Sequence, residues 1–118
     1  MNSSFSYKRE YRLKRRTDIE AVFKQGKVIR TSTFRAYYIP STITRLGISV
    51  SSRAGNAIFR NSVKRAVREI FRKSRKDFSC NFDIVVVLSK RPKEAATYLS
   101  DLKRLFKCLE DIKSFSEK

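Results

Sequence analysis

An α+β fold in a single domain is what this sequence predicts, and three observations carry the expectation. The chain has 118 residues, the length of one compact domain. Hydrophobic residues make up 41% of it, enough for a core, so disorder is not the default reading. Stretches with the apolar period of a helix are interspersed with stretches that alternate like strands. No internal repeat, low-complexity tract or linker divides them. Residues 1–118 are therefore read as one domain, with 1–11 a basic, mobile arm and 114–118 a tail.

The elements follow in order. Thr17 and Glu20 form a T-x-x-E capping box, Ile19, Val22 and Phe23 follow at helical spacing, and Gly26 suits a terminator. This predicts a short helix over about residues 17–25. From Val28 to Ile39 the chain is β-branched and aromatic. Phe34, Ala36 and Tyr38 alternate there with Arg35, Tyr37 and Ile39, so one strand face is basic and aromatic. Pro40 to Arg45 reads as a loop. Leu46, Ile48 and Val50 then alternate with Gly47, Ser49 and Ser51 in a second clear strand, expected to pair antiparallel with the first. A basic helix is expected from Ala57 to about Arg75, with Asn56 as N-cap. A strand from Asp83 to Ser89 carries an apolar run that should be covered on both faces. The last helix, about Thr97 to Ser114, aligns Leu99, Leu102, Leu105, Phe106, Leu109 and Ile112 on one stripe, which is core packing.

Charge is the outlier. There are 28 Lys and Arg against 11 Asp and Glu, a formal net charge of +17, with a pI near 10.5. So large a single-sign excess repels itself when the chain compacts, which points to a polyanionic partner, nucleic acid first and an anionic membrane surface second. The membrane reading is weak, because the longest apolar run, Ile84 to Leu88, has only the length of a strand. The N-terminus lacks the apolar centre of a secretory signal, so a cytoplasmic protein is expected. Cys80 and Cys108 are too far apart for a CxxC motif and read as reduced core thiols.

Absences narrow the function further. The chain has no histidine, so it has no His general base, no Ser-His or Cys-His nucleophile and no His-containing zinc site. Three glycines, Gly26, Gly47 and Gly55, cannot build a phosphate-cradling loop. The carboxylates show no paired metal-ligand spacing. No catalytic residue and no protein metal site is expected.

The basic helix carries the functional argument. At about 100° per residue, with Arg60 at zero, Lys64, Arg68, Asn61, Arg72 and Arg65 fall within an arc of roughly 140°. Phe59, Val63, Ala66, Val67 and Ile70 take the opposite arc, and only Glu69 interrupts the cations. A merely solvated face mixes charge signs and gains from Glu–Lys pairs. Arg60, Lys64, Arg68 and Arg72 instead form a like-charge row at successive i+4 positions, which bound phosphates would relieve. No helix-turn-helix partner is visible, so single-stranded RNA suits the chain better than a DNA major groove. Spacing alone leaves Phe23 and Tyr37 open between core packing and base stacking.

The stretch Gly55-Asn56-Ala57-Ile58-Phe59-Arg60-Asn61-Ser62-Val63-Lys64-Arg65-Ala66-Val67-Arg68 resembles the signature of the bacterial ribonuclease P protein component. Leu46 to Ser51, Arg12-Leu13-Lys14 with Val22-Phe23-Lys24-Gln25-Gly26, and Phe82 to Val87 are similar to its other motifs. The resemblance covers about residues 8 to 110. It implies a two-layer α/β sandwich of αβββαβα order, like the second domain of ribosomal protein S5, with a left-handed βαβ crossover. It also implies a role beside a catalytic RNA that removes the 5′ leader of precursor tRNA, with Mg²⁺ held mainly by that RNA and no organic cofactor. Arg60, Asn61, Lys64, Arg65, Arg68 and Arg72 would then form the basic-helix RNA surface. Ile19, Phe23, Arg35 and Tyr37 would line a leader cleft, and Arg12, Lys14 and Arg53 would make further RNA contacts. The implied partners are the catalytic RNA and precursor tRNA, with no membrane and no obligate protein partner. Ile19 stands where the family often has Phe, and Ser62 where it often has Arg, so one stacking ring and one cation are missing. The rival readings are an rRNA-binding ribosomal or assembly protein, a self-sufficient nuclease and a polyanion-buffering protein.

Overall fold

A computed structural model describes residues 11–92 and 98–113. The chain runs α1 (Arg16–Gln25), β1 (Lys27–Arg30), β2 (Arg35–Pro40), β3 (Arg45–Val50), α2 (Ala57–Ser74), β4 (Phe82–Leu88) and α3 (Tyr98–Glu110). This is the expected αβββαβα order. The arm at 1–10, the tail at 114–118 and the outer ends of the last predicted helix, Thr97 and Ser114, lie outside the described residues.

The four strands form one mixed sheet in the order β1-β2-β4-β3. β2 pairs antiparallel with β1 and with β4, while β3 pairs parallel with β4. The expected direct pairing of β2 with β3 is therefore wrong: β4 lies between them. Its run Ile84–Leu88 is apolar on both faces, and only a central strand keeps both faces out of water. Six of its seven residues are buried, as the sequence predicts. The connection from β3 to β4 is the βαβ crossover that contains α2.

Alternation along β4 divides the core in two. Phe82, Ile84, Val86 and Leu88 point to the face packed by α2 and α3, with Val63, Val67, Phe71, Leu102, Leu105, Phe106 and Leu109. Each such side chain, fully buried, contributes about 1.5–3 kcal/mol relative to exposure. Val85 points the other way, where Leu13 and Val22 complete a smaller cluster flanked by Ile19, Tyr37, Ile39 and Val87. The short α1 thus covers part of the second face and leaves the rest of it open.

Local chemistry sets the element ends, with several departures from expectation. The N-cap of α1 is Arg15, with no side-chain cap bond, so the Thr17–Glu20 capping box does not form. Asp18, in the first turn, instead reaches Arg45 at 3.6 Å. Gly26 ends α1 in an extended conformation, not a left-handed one. Its requirement is steric: a Cβ there would lie 2.3 Å from the Val22 carbonyl oxygen and 2.9 Å from that of Tyr38. Asn56 caps α2 as expected, its side chain accepting from the Phe59 N–H at 2.9 Å. Gly55 has φ 157°, and a Cβ there would strike the Phe59 ring at 2.8 Å. Arg45 opens β3 and so does not belong to the preceding loop.

Three smaller expectations also change. Tyr11 is not part of a mobile arm: it packs against the main core, with the Arg75 guanidinium 4.0 Å from its ring centroid. Leu99 is exposed rather than packed, because the buried arc of α3 begins at Asp101 and Leu102. Both cysteines are free thiols, but Cys108 is exposed, while Cys80 packs partly against the core.

Candidate nucleic-acid interface

The helix α2 is amphipathic in the sense the sequence predicts. Val63 and Val67 are fully buried, Phe71 nearly so, and Phe59, Ala66 and Ile70 pack partly against the core. On the outward side Asn61, Arg65 and Arg68 are exposed, and Arg60, Lys64 and Arg72 are half-buried along their stems. The Arg60 Nε donates to the Gly55 carbonyl at 3.1 Å, which fixes the first cation against the loop entering the helix. The far end of the row differs from expectation. Glu69 accepts from Arg72 at 2.6 and 3.3 Å and lies 3.7 Å from Lys73. The Arg72 hydrogen bond holds the Glu69 carboxyl below its usual range. Arg72 is therefore internally paired with Glu69, which lowers the positive field at that end of the helix.

A different surface forms on the α1 side of the sheet. Phe23 from α1 meets Tyr37 from β2 edge to face, with ring centroids 4.9 Å apart and planes at 68°. Phe23 keeps 42% of its surface exposed, and Val28, directly opposite Tyr37 in the β1–β2 register, keeps 37%. The Arg35 guanidinium sits 5.9 Å from the Tyr37 centroid and donates to the Ser89 hydroxyl at 2.7 Å. Ile19 lies half-buried on the same side. All four residues expected in a cleft, Ile19, Phe23, Arg35 and Tyr37, thus share one surface. An exposed Phe23 ring held edge-on against a half-buried Tyr37 offers a face on which an unpaired base can stack, while the nearby guanidinium attracts phosphate. Val28 joins this wall and was missed. Strand alternation tells which face a residue takes, but only the cross-strand register brings Val28 opposite Tyr37.

Arg12, Lys14 and Arg53 are not brought together. Arg12 and Lys14 are exposed beside the start of β3, where they line a hollow of about 470 Å³ with Arg15, Asp18 and Arg45. Arg53 lies past the other end of β3, in a single 3₁₀ turn, with its backbone N–H donating to Ser51 Oγ at 3.1 Å. A six-residue strand separates them by roughly 20 Å.

One buried ion pair fixes this architecture. Arg45 and Asp83 face each other across β3 and β4, joined by two hydrogen bonds of 2.9 and 2.8 Å. Asp83 is only 6% exposed. Through its third contact, Asp18, Arg45 also ties the first turn of α1 to the sheet. Removing Arg45 would strand the buried Asp83 carboxylate, at about 3–5 kcal/mol.

The same architecture occurs in known proteins. The Ribonuclease P family profile matches residues 7–110. The ribonuclease P protein component of Staphylococcus carnosus is 34% identical over 111 residues, spanning 92% of this chain and 95% of the relative. Among solved structures, the Staphylococcus aureus RNase P protein superposes with a TM-score of 0.73 at 31% identity, over 83% of this chain and 94% of that one. The RNase P protein of Thermotoga maritima gives 0.71 at 32% identity, over 87% and 98%.

Proposed function

The chain belongs to the ribonuclease P protein family, RNA-binding components of a tRNA-processing endoribonuclease, and from that premise we propose a division of labour between its two surfaces. The cationic face of α2 docks on the catalytic RNA of the complex. The cleft walled by Phe23, Arg35 and Tyr37, with Ile19, takes the single-stranded 5′ leader of precursor tRNA. The observation that carries the reading is the Phe23–Tyr37 edge contact: an exposed ring from a helix and a half-buried ring from a strand, beside an arginine.

Phosphodiester hydrolysis belongs to the RNA subunit in this reading. The charged groups on both surfaces are cations, the row on α2 and Arg35 in the cleft, which attract phosphate and repel a divalent cation. Among the described residues no group of three or more carboxylates or thiols converges on a point. These donors do not fit Mg²⁺, so the ion is assigned to RNA phosphates. The protein contributes binding and orientation, which act on rate by holding the scissile region in place. Arg12 and Lys14 at one end of β3 and Arg53 at the other extend the phosphate contacts.

Reconstitution tests this. Cleavage of precursor tRNA at low Mg²⁺ should require the protein together with a bacterial ribonuclease P RNA. Cleavage by the protein alone would overturn the assignment. Binding of precursor and mature tRNA to that complex separates the surfaces further, because only the precursor carries a leader.

A further inference from the structure

At the turn between β1 and β2 the sheet ends in a second hollow, of about 640 Å³, lined by Arg30, Arg35, Lys90 and Arg91 together with the hydroxyls of Thr31 and Ser89. Among the described residues none of its lining is acidic. Arg30 and Arg35 are paired directly across the antiparallel register. Partners in such a pair point to the same sheet face, so two cationic side chains leave neighbouring positions on one face, an arrangement that destabilises a hairpin.

The turn that presents them is nevertheless held firmly from behind. Thr31 Oγ1 accepts from the Phe34 N–H at 2.9 Å, and the Thr31 N–H donates to the Phe34 carbonyl at 2.8 Å. Ser32 and Thr33 both donate their hydroxyls to Asp101 of α3. Asp101 is thus engaged on the core side of the turn, where Arg104 also approaches it at 3.4 Å. A like-charge pair kept on a rigid turn would be relieved by an anion bound between the two side chains.

The hollow continues the aromatic cleft. Arg35 reaches both, lying 5.9 Å from the Tyr37 centroid while bonded to Ser89 at the hollow's rim. We infer that this hollow is a backbone subsite for the same single-stranded RNA: Arg30, Lys90 and Arg91 take the phosphodiester next along the strand from the base stacked at Phe23 and Tyr37. The inference rests on the cleft reading given above and extends it by a cationic station. The Ser89 hydroxyl, which accepts from Arg35, keeps its proton to donate to a phosphate or ribose oxygen, so the subsite reads the backbone and not the base.

The test uses the full chain and fluorescently labelled oligouridylates of graded length. Oligomers that reach only the rings should bind weakly, and a second gain in affinity should appear once they also reach the hollow. The double variant Arg30→Gln, Arg91→Gln should lose that second gain and bind the short oligomers as wild type does. For the longest oligomer its plot of log K against log salt should flatten by about 1.4, two contacts at about 0.7 each. Arg30→Gln alone should melt no lower than wild type, since it dissolves the like-charge pair; a lower melting point would mean that Arg30 serves the hairpin. Tyr37→Ala should weaken every length. If Tyr37→Ala does so while the double variant matches wild type in length dependence and salt slope, the hollow is no subsite and the cleft stands. If both leave every length unchanged, the cleft reading has failed and the hollow falls with it.

Discussion

Tyr37 has two neighbours of different chemistry, the Phe23 ring and the Arg35 guanidinium, and its value to a ligand depends on both. Stacking of one base on one ring is worth about 1–3 kcal/mol, equivalent to roughly 5- to 150-fold in affinity. Tyr37→Ala and Phe23→Ala are each expected to weaken binding of precursor tRNA to the reconstituted complex within that range, and to leave mature tRNA nearly unaffected. Equal losses on both RNAs with a fall in melting temperature would make the rings core residues. Ile19→Phe should tighten leader binding, because Ile19 lies on the same side and now offers only apolar contact. The sequence shows Arg35 and Tyr37 on one strand face through alternation alone. It does not show that Phe23 meets Tyr37, since helical spacing gives a residue's azimuth and says nothing about which strand the helix crosses.

The helix α2 separates charge from packing. Lys64→Ala should weaken binding to RNA of any sequence and reduce the salt slope by somewhat less than one unit, as a phosphate contact would. Val67→Ala, on the buried arc, should cost about 1–3 kcal/mol of stability in a denaturant titration and leave the salt slope alone. Arg72→Ala should do less to RNA binding than Lys64→Ala, because Glu69 already engages Arg72. The β1–β2 turn gives a pH-dependent counterpart. Hydroxyl bonds from Thr33 and Ser32 hold the Asp101 carboxyl below its usual value of 3.8. A depressed carboxyl pKa adds stability that is complete above the unfolded-state pKa and fades as pH falls through the folded one. Wild type should therefore melt above Asp101→Asn at neutral pH, and the gap should close below about pH 4. Helix α2 was legible almost to the residue because its cap and its buried arc both reside in local sequence. The start of α1 was not. Its capping-box signature is short and common, and here Asp18 is drawn off to Arg45 on a strand that sequence spacing cannot connect to it.

Over the whole molecule the +17 charge should make RNA association strongly salt dependent. With about 6–8 phosphates neutralised, log K should fall with log salt at a slope near −4 to −6, and a slope shallower than about −2 would mean that the charge is not engaged. Element order was legible, but strand order was not. Periodicity marks β2 and β3 as strands without revealing that a third will part them, and only the two-sided apolar run of β4 hints at a central place. That insertion also has a temporal side. On a ribosome the middle strand is made last among the four, after β1, β2, β3 and the whole of α2 have emerged, at about 5–20 residues per second. Until residues 82–88 appear, β2 and β3 have a vacant slot between them and α2 has no completed sheet to lie on. The nascent chain thus spends several seconds as an open, highly cationic polymer in a compartment full of RNA. Closure then waits on a parallel pairing between distant segments, the kind of contact that folds slowly. Val86→Ala, in the centre of β4, should accordingly slow refolding in stopped-flow experiments, whereas Val22→Ala beneath α1 should chiefly speed unfolding.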